Sequence, residues 1–196
     1  MQEELSPHGF TVFAIAVDES ADDARPWVEE AQATFPVVYD RDRLAVEALG
    51  IINVPTVVWI DEDGAVVRPQ SAQFPNDNLI AFHGRPAAPH LEALRRWVVD
   101  GEAPMTPDEA KAMTRLPTED EQLARAHFRV AVQLLRQGRD EAAGRHLGTA
   151  GELSPLDWTI RRARFKLLGR DPFFDEEFIA MYMEWQDSGR PGYPLS

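Results

Sequence analysis

Two hydrophobic periods divide the chain. Over the first hundred residues short apolar runs alternate with helical spacing, and from Glu119 onward helical spacing is all that is left. The first run, Phe10 to Val17 (FTVFAIAV), is nearly all apolar, rich in β-formers, and ends at polar Asp18. That pattern predicts a strand buried on both faces, as in the middle of a parallel sheet. Ser20 stands three residues before Asp23, the spacing of an N-cap with an acid in the first turn. Ala24, Trp27, Val28, Ala31 and Phe35 then recur at helical spacing and predict one side laid on the sheet. Pro36 to Tyr39 reads as a second strand, and Arg43 to Leu49 as a short helix stopped by Gly50. Thr56 to Ile60 is a third strand. Asp61-Glu62-Asp63-Gly64 supplies a hairpin loop in which Gly64 takes positive φ, and Ala65 to Arg68 returns. Pro69 to Pro89 shows no regular period. His90 to Asp100 is helical, with Leu91, Leu94, Trp97 and Val98 sharing a face.

Alternation followed by an antiparallel pair indicates an α/β fold with a mixed sheet. Composition then shifts. Residues 101–118 hold three prolines and one helical patch, Asp108 to Arg115, and are expected to link a first domain, 1–100, to a helical extension, 119–196. Within the extension, Ala124 to Asp157 fits a helical hairpin. Ala131, Ala143 and Ala150 are its small positions, Leu134 and Leu147 its large ones, with Gly138 at the bend and Pro155 past the end. This resembles a single tetratricopeptide repeat. One repeat cannot bury its own face, so an annex packed on the first domain is the leading expectation and an independent peptide groove the other. Ile160 to Leu168 is a third helix. In the tail, Phe173, Phe174, Phe178, Tyr182 and Trp185 are partly helical in spacing and point to core packing, with Gly189 to Pro194 loose at the surface.

A net charge of -13, with Lys and Arg interleaved among acids, argues against nucleic acid. No run reaches a membrane span and no signal peptide opens the chain, so the expected location is cytoplasmic and no membrane partner is expected. The five histidines show no metal-ligand spacing and read as surface residues; no metal and no cofactor is expected. Phosphate-binding glycine loops and the nucleophile-elbow motif are missing. Arg95-Arg96 and Arg161-Arg162 read as helix charges, solvated or paired with the many acids.

A proline directly before a buried strand needs a reason, because it donates no hydrogen bond to a ladder. Leu49-Gly50-Ile51-Ile52-Asn53-Val54-Pro55-Thr56, then an apolar strand, an acidic-Gly turn and another strand, resembles the second half of a thioredoxin fold. With FTVFAIAVDES and FPVVYDRD, the chain is similar from Phe10 to Asp100 to the TlpA/ResA-like thiol–disulfide oxidoreductases and the wider redoxin group with the AhpC/TSA-type peroxiredoxins. The resemblance implies a cis bond before Pro55 and a substrate-binding turn made of Asn53, Val54, Pro55 and Thr56. There the Val54 backbone would pair with an extended disulfide- or peroxide-type substrate or a partner protein. It also implies a redox pair in a C-x-x-C motif on a strand and helix preceding FTVFAIAV.

The chain has no cysteine. Ser or Thr cannot exchange disulfides, so no residue of this sequence is expected to be catalytic. Two explanations stand. The chain is a truncated reading of a longer protein, such as a ResA-like relative with selenocysteine in the motif; or it is a degenerate redoxin kept as a binding module. The expected fold is therefore a thioredoxin-like mixed sheet lacking its first central strand, with a TPR-like helical extension. A missing strand leaves apolar edges that seek partners. The chain made as written is thus expected to be a homodimer, poorly soluble, or closed across the gap; a stable monomer with an open central gap, on size-exclusion chromatography, contradicts this.

Overall fold

The computed structural model describes residues 1–18, 20–71, 76–77, 80, 86–114, 116–172 and 174–189. They fall into two compact units, one of residues 1–45 and 55–114, the other of 46–54 and 116–189. The protein is mixed α/β with small sheets, followed by helices.

In the first unit, α1 (Gln2–Leu5) runs into a 3-10 turn, Ser6–His8. Strand β1 (Ala14–Ala16) pairs in parallel with β2 (Val37–Tyr39), Ala14 opposite Val37 and Ala16 opposite Tyr39. Helix α2 (Ala21–Glu30) lies between them in sequence. Its Ser20 hydroxyl accepts from the Asp23 amide, and the Asp23 carboxylate accepts from the Ser20 amide, so the expected cap is a full capping box. Helix α3 (Leu44–Ala48) is capped by Asp40, whose carboxylate accepts from Leu44 and Ala45.

Strand β3 (Val57–Ile60) pairs antiparallel with β4 (Val66–Ser71) around Asp61 to Gly64, where Gly64 has φ 81° as expected. The pairing slips twice: β4 carries an extra residue between Arg68 and Ser71 and another between Val66 and Arg68. Pro69 falls in the first irregular interval, where a missing N–H is tolerated. Among the described residues the four strands form two separate ladders, β1–β2 and β3–β4, not one sheet.

Two expectations are corrected here. The Phe10–Val17 strand is three residues long, and Phe13 is 58% exposed. Among the described residues β1 has one ladder partner, β2, and its three residues are half-buried rather than buried. On α2, Ala24 is buried and Val28 half-buried, but Trp27 is 72% exposed. At about 100° per residue, Trp27 sits on the flank of the Ala24–Val28 line rather than on it.

Helix α4 (Ala88–Arg95) continues as a π-helical turn, Arg96–Asp100, that ends at Gly101 with φ 72°. Much of the expected Pro69–Pro89 irregular segment, with His83, lies outside the described residues. The inward line of α4 is His90, Leu94, Trp97 and Val98, so His90 is a core residue and not a surface one. Leu5, Trp59 and Leu94 form the centre of this core, with Phe10, Val57 and Val67 against them. The Trp59 indole stacks on Trp97 (5.3 Å between centroids, 18°), meets His90 at 5.5 Å, and carries the Arg68 guanidinium 5.2 Å from its ring. Glu4 on α1 takes a two-pronged hydrogen bond from Arg95 on α4. Within 101–118, Thr106 and Glu109 form a capping box on α5 (Pro107–Met113), which buries Ala110 and packs by β4.

The second unit holds α6 (Glu119–Arg136), α7 (Asp140–Leu153), α8 (Trp158–Leu167) and α9 (Glu176–Asp187). The expected hairpin is present, turning at Gly138 with φ 69°. Ala131, Ala143, Ala150 and Leu147 are fully buried with Ala124, Phe128, Ile160 and Ala163, and Leu134 packs against them. Four small residues on facing helices let α6 and α7 approach closely. On α9, Phe178 and Trp185 are buried and, with Tyr182, ring the fully buried Trp158. Phe174 is exposed, while Phe173 and residues 190–196 lie outside the described residues.

His90 carries a pH signature. Burial, then the positive charge of Arg68, lowers its pKa from 6.5 to about 4. The unfolded chain therefore binds a proton between those values that the folded chain refuses, and stability falls as pH drops from about 6.5 to 4. The loss is expected to be roughly 2–3 kcal/mol. Urea midpoints at pH 7 and pH 4.5 test it: His90→Phe removes this share of the acid dependence, and an unchanged slope refutes the assignment.

Candidate functional site

The four expected site residues divide between the units. Asn53 and Val54 belong to the second; Pro55 and Thr56 belong to the first and lead into β3. Pro55 is exposed, and the Thr56 hydroxyl donates to the Ser71 carbonyl at 3.1 Å.

The path to Val54 begins at the end of α3. Gly50, with φ 63°, donates to the Glu47 carbonyl, and Ile51 donates to the Val46 carbonyl at 2.8 Å. These two bonds make a Schellman ending, which needs the left-handed conformation that glycine takes freely. The chain leaves it without regular secondary structure and bends at Asn53 to Pro55, with Ile51 and Asn53 buried.

Three carbonyls of this segment accept hydrogen bonds from the helices of the same unit. Arg125 of α6 donates to Ile51 O at 2.8 Å. The amides of Trp158 and Thr159, the first two of α8, converge on Ile52 O at 2.6 and 3.2 Å. Arg162, one turn further along α8, donates to Val54 O at 2.9 Å and reaches the Asn53 side-chain oxygen at 3.5 Å. Glu47 adds an ion pair with Arg129 at 3.3 Å.

Asp157 organises the α8 end of this grip. It is the N-cap, accepting from the Thr159 and Ile160 amides at 3.0 and 3.1 Å and from the Thr159 hydroxyl. Its other carboxylate oxygen pairs with Arg125. Both side chains are almost wholly buried. Burial pushes the Asp157 carboxyl up from its ordinary range, while Arg125 and the capping donors pull it down. The first-turn amides of a helix have no partner within the helix, so an outside carbonyl and an N-cap carboxylate complete them.

Arg125, Asp157 and Arg162 leave little trace in the pattern of residues. Asp157, two residues before Thr159 at a helix start, is a legible N-cap; Arg125 next to core Ala124 is the anomaly that signals a buried charge. The expectation that Arg161 and Arg162 are ordinary helix charges needs correction: Arg162 binds backbone, and Arg161 lies 4.7 Å over the Trp158 ring and donates to Pro155 O.

The arrangement holds irregular backbone through its carbonyls. It contains no nucleophilic sulfur, and among the described residues no group of three or more His, Cys, Asp or Glu could hold a metal ion. Among them also, no helix is long and apolar enough to cross a membrane.

An α/β unit with a proline leading into a hairpin, joined to a helical unit, is the architecture these observations define. The model of the AhpC/TSA family matches residues 1–68, a stretch that ends in β4 just past the Pro55 turn and the hairpin. The match covers 68 of 196 residues and supports a thioredoxin-like redoxin relationship for that stretch. No curated protein and no solved structure matches the chain.

The Arg125–Asp157 pair is testable by truncating one partner. Asp157→Ala leaves a buried guanidinium uncompensated and removes a cap, and is expected to cost about 3–5 kcal/mol in urea unfolding followed by helical circular dichroism. The double variant Arg125→Met/Asp157→Leu should cost less than Asp157→Ala alone. A single-variant loss below about 1 kcal/mol shows that the pair does not anchor the unit.

Proposed function

We propose that this protein takes part in thioredoxin-type redox chemistry, reducing a disulfide or a peroxide with a sulfur or selenium residue that these 196 residues do not themselves contain. The observation that carries the reading is the AhpC/TSA match, which runs through the pre-proline turn. In this reading Asn53, Val54, Pro55 and Thr56 form the substrate side of the site, the nearer kin are the TlpA/ResA-like oxidoreductases, and the location is cytoplasmic. A thiolate or selenolate attacks one sulfur of the disulfide or the terminal oxygen of the hydroperoxide, the S–S or O–O bond breaks and a thiolate or alkoxide leaves and takes up a proton, while the proline turn orients the substrate for the attack.

A second reading, a non-catalytic binding module on a degenerate thioredoxin fold, draws on a different observation. The helical unit already holds an irregular segment by its backbone carbonyls at Ile51, Ile52 and Val54.

The two part on the natural gene product. In the redox reading it is heavier than the 22.1 kDa of this sequence, contains cysteine or selenocysteine, and reduces a disulfide or hydroperoxide. Pro55→Ala in that product lowers kcat/KM by about 10- to 100-fold, the scale of a misplaced substrate. A natural product of 22.1 kDa without either residue overturns the redox reading in favour of the binding module.

A further inference from the structure

His127 on α6 and His146 on α7 are nineteen residues apart, and the helical hairpin brings them face to face. Their Nδ1 atoms are 2.9 Å apart, and the ring centroids are 4.9 Å apart with 40° between planes. Each histidine precedes a buried residue of the hairpin core, Phe128 and Leu147, so both rings lie at the rim of the helix–helix interface, half-buried. The alanines at 131 and 143 allow the backbones to come close enough for this.

Two neutral imidazoles in this geometry share one proton: one Nδ1 donates and the other accepts. When the donating ring moves that proton to its Nε2 as the other tautomer, both Nδ1 atoms become acceptors and an ion can take the place of the shared proton. Nitrogen ligands sit about 2.0–2.1 Å from a divalent transition metal. Two such ligands at a right angle are therefore about 2.9 Å apart, the separation found here, whereas a tetrahedral angle opens them to about 3.3 Å. The spacing suits adjacent corners of a tetragonal or octahedral ion, and imidazole is a ligand of choice for such ions.

We propose that His127 and His146 form a two-imidazole site for Ni(II) or Cu(II) that staples α6 to α7 through their Nδ1 atoms. Among the described residues no third His, Cys, Asp or Glu joins them, so water fills the remaining positions and the ion is exchangeable. The partly exposed rim gives water that access. The site is independent of the redox reading, since it uses only side chains of the helical hairpin.

The experiment uses the full chain and NiCl2. One Ni(II) is expected to bind per chain by calorimetry and to raise Tm by about 5–10 °C at a hundredfold excess over Kd, reversibly with EDTA. His127→Gln and His146→Gln should each abolish the rise while keeping the helical circular dichroism. With CuCl2 in place of nickel, the electron paramagnetic resonance spectrum of the unmodified chain should show hyperfine coupling to two imidazole nitrogens, a readout that needs no variant. The proposal is overturned by a Tm rise that survives both substitutions, by no Ni(II) binding to the unmodified chain, or by a copper spectrum with one imidazole nitrogen or none.

Discussion

A guanidinium and a carboxylate, both out of water, hold the second unit in register. Burying Arg125 and Asp157 is costly unless the pair and its remaining hydrogen-bonding positions are all satisfied. Here they are used twice over. Asp157 spends one oxygen on Arg125 and the other on the start of α8; Arg125 spends a second N–H on Ile51 O. One pair thereby fixes where α8 begins relative to α6, and where the segment after α3 must run. Hydrophobic burial alone would press α6, α7 and α8 together at Ala124, Leu147 and Ile160 without choosing among sliding registers. The ion pair, being directional, does choose.

Apart from the reach of Arg162 to the Asn53 side chain, the contacts described from that frame to residues 51–54 are to main chain. Ile51, Ile52 and Val54 are held by their carbonyls, so their side chains enter the hold through burial rather than through recognition. This explains why no charged or polar motif marks the segment 51–54 in the sequence. It also gives the residue before Pro55 a defined backbone. In the redoxin reading that residue's backbone is the part a substrate would meet, and its carbonyl oxygen is engaged by Arg162.

How much of this was legible follows from the kind of signal each feature leaves. Periodicity and caps are local, and the elements they mark were readable: the Ser20 helix start, Gly50, Gly64 and Gly138 at their turns, the small positions 131, 143 and 150. Long-range pairing leaves no local trace. The flank position of Trp27 and the inward turn of His90 depend on which side of a helix meets a neighbour, a choice made by tertiary packing. His90 stands four residues before Leu94, so the helical period permitted a buried histidine; its usual polarity argued the other way. Sheet assembly was the least readable. Alternating strands and helices suggested one mixed sheet, whereas the described strands form two ladders.

Two-stranded ladders are weak alone, and the first unit has only these among its described residues. What compensates for the β3–β4 pair is aromatic mass. Trp59 is buried against Trp97 on one helix, with His90 beside it and Arg68 over the ring. The irregular register of β4 is compatible with this because the indole, not the ladder, sets the contact with α4. A large planar side chain tolerates a bulge nearby that a continuous ladder would not. The β1–β2 pair has no such anchor: β1 is half-buried throughout, and Phe13 beside it stands in solvent. The stretch read as a strand buried on both faces is therefore only half-buried. A strand of that composition gains most from a further apolar partner, which is the physical content of the thioredoxin resemblance in this part of the chain.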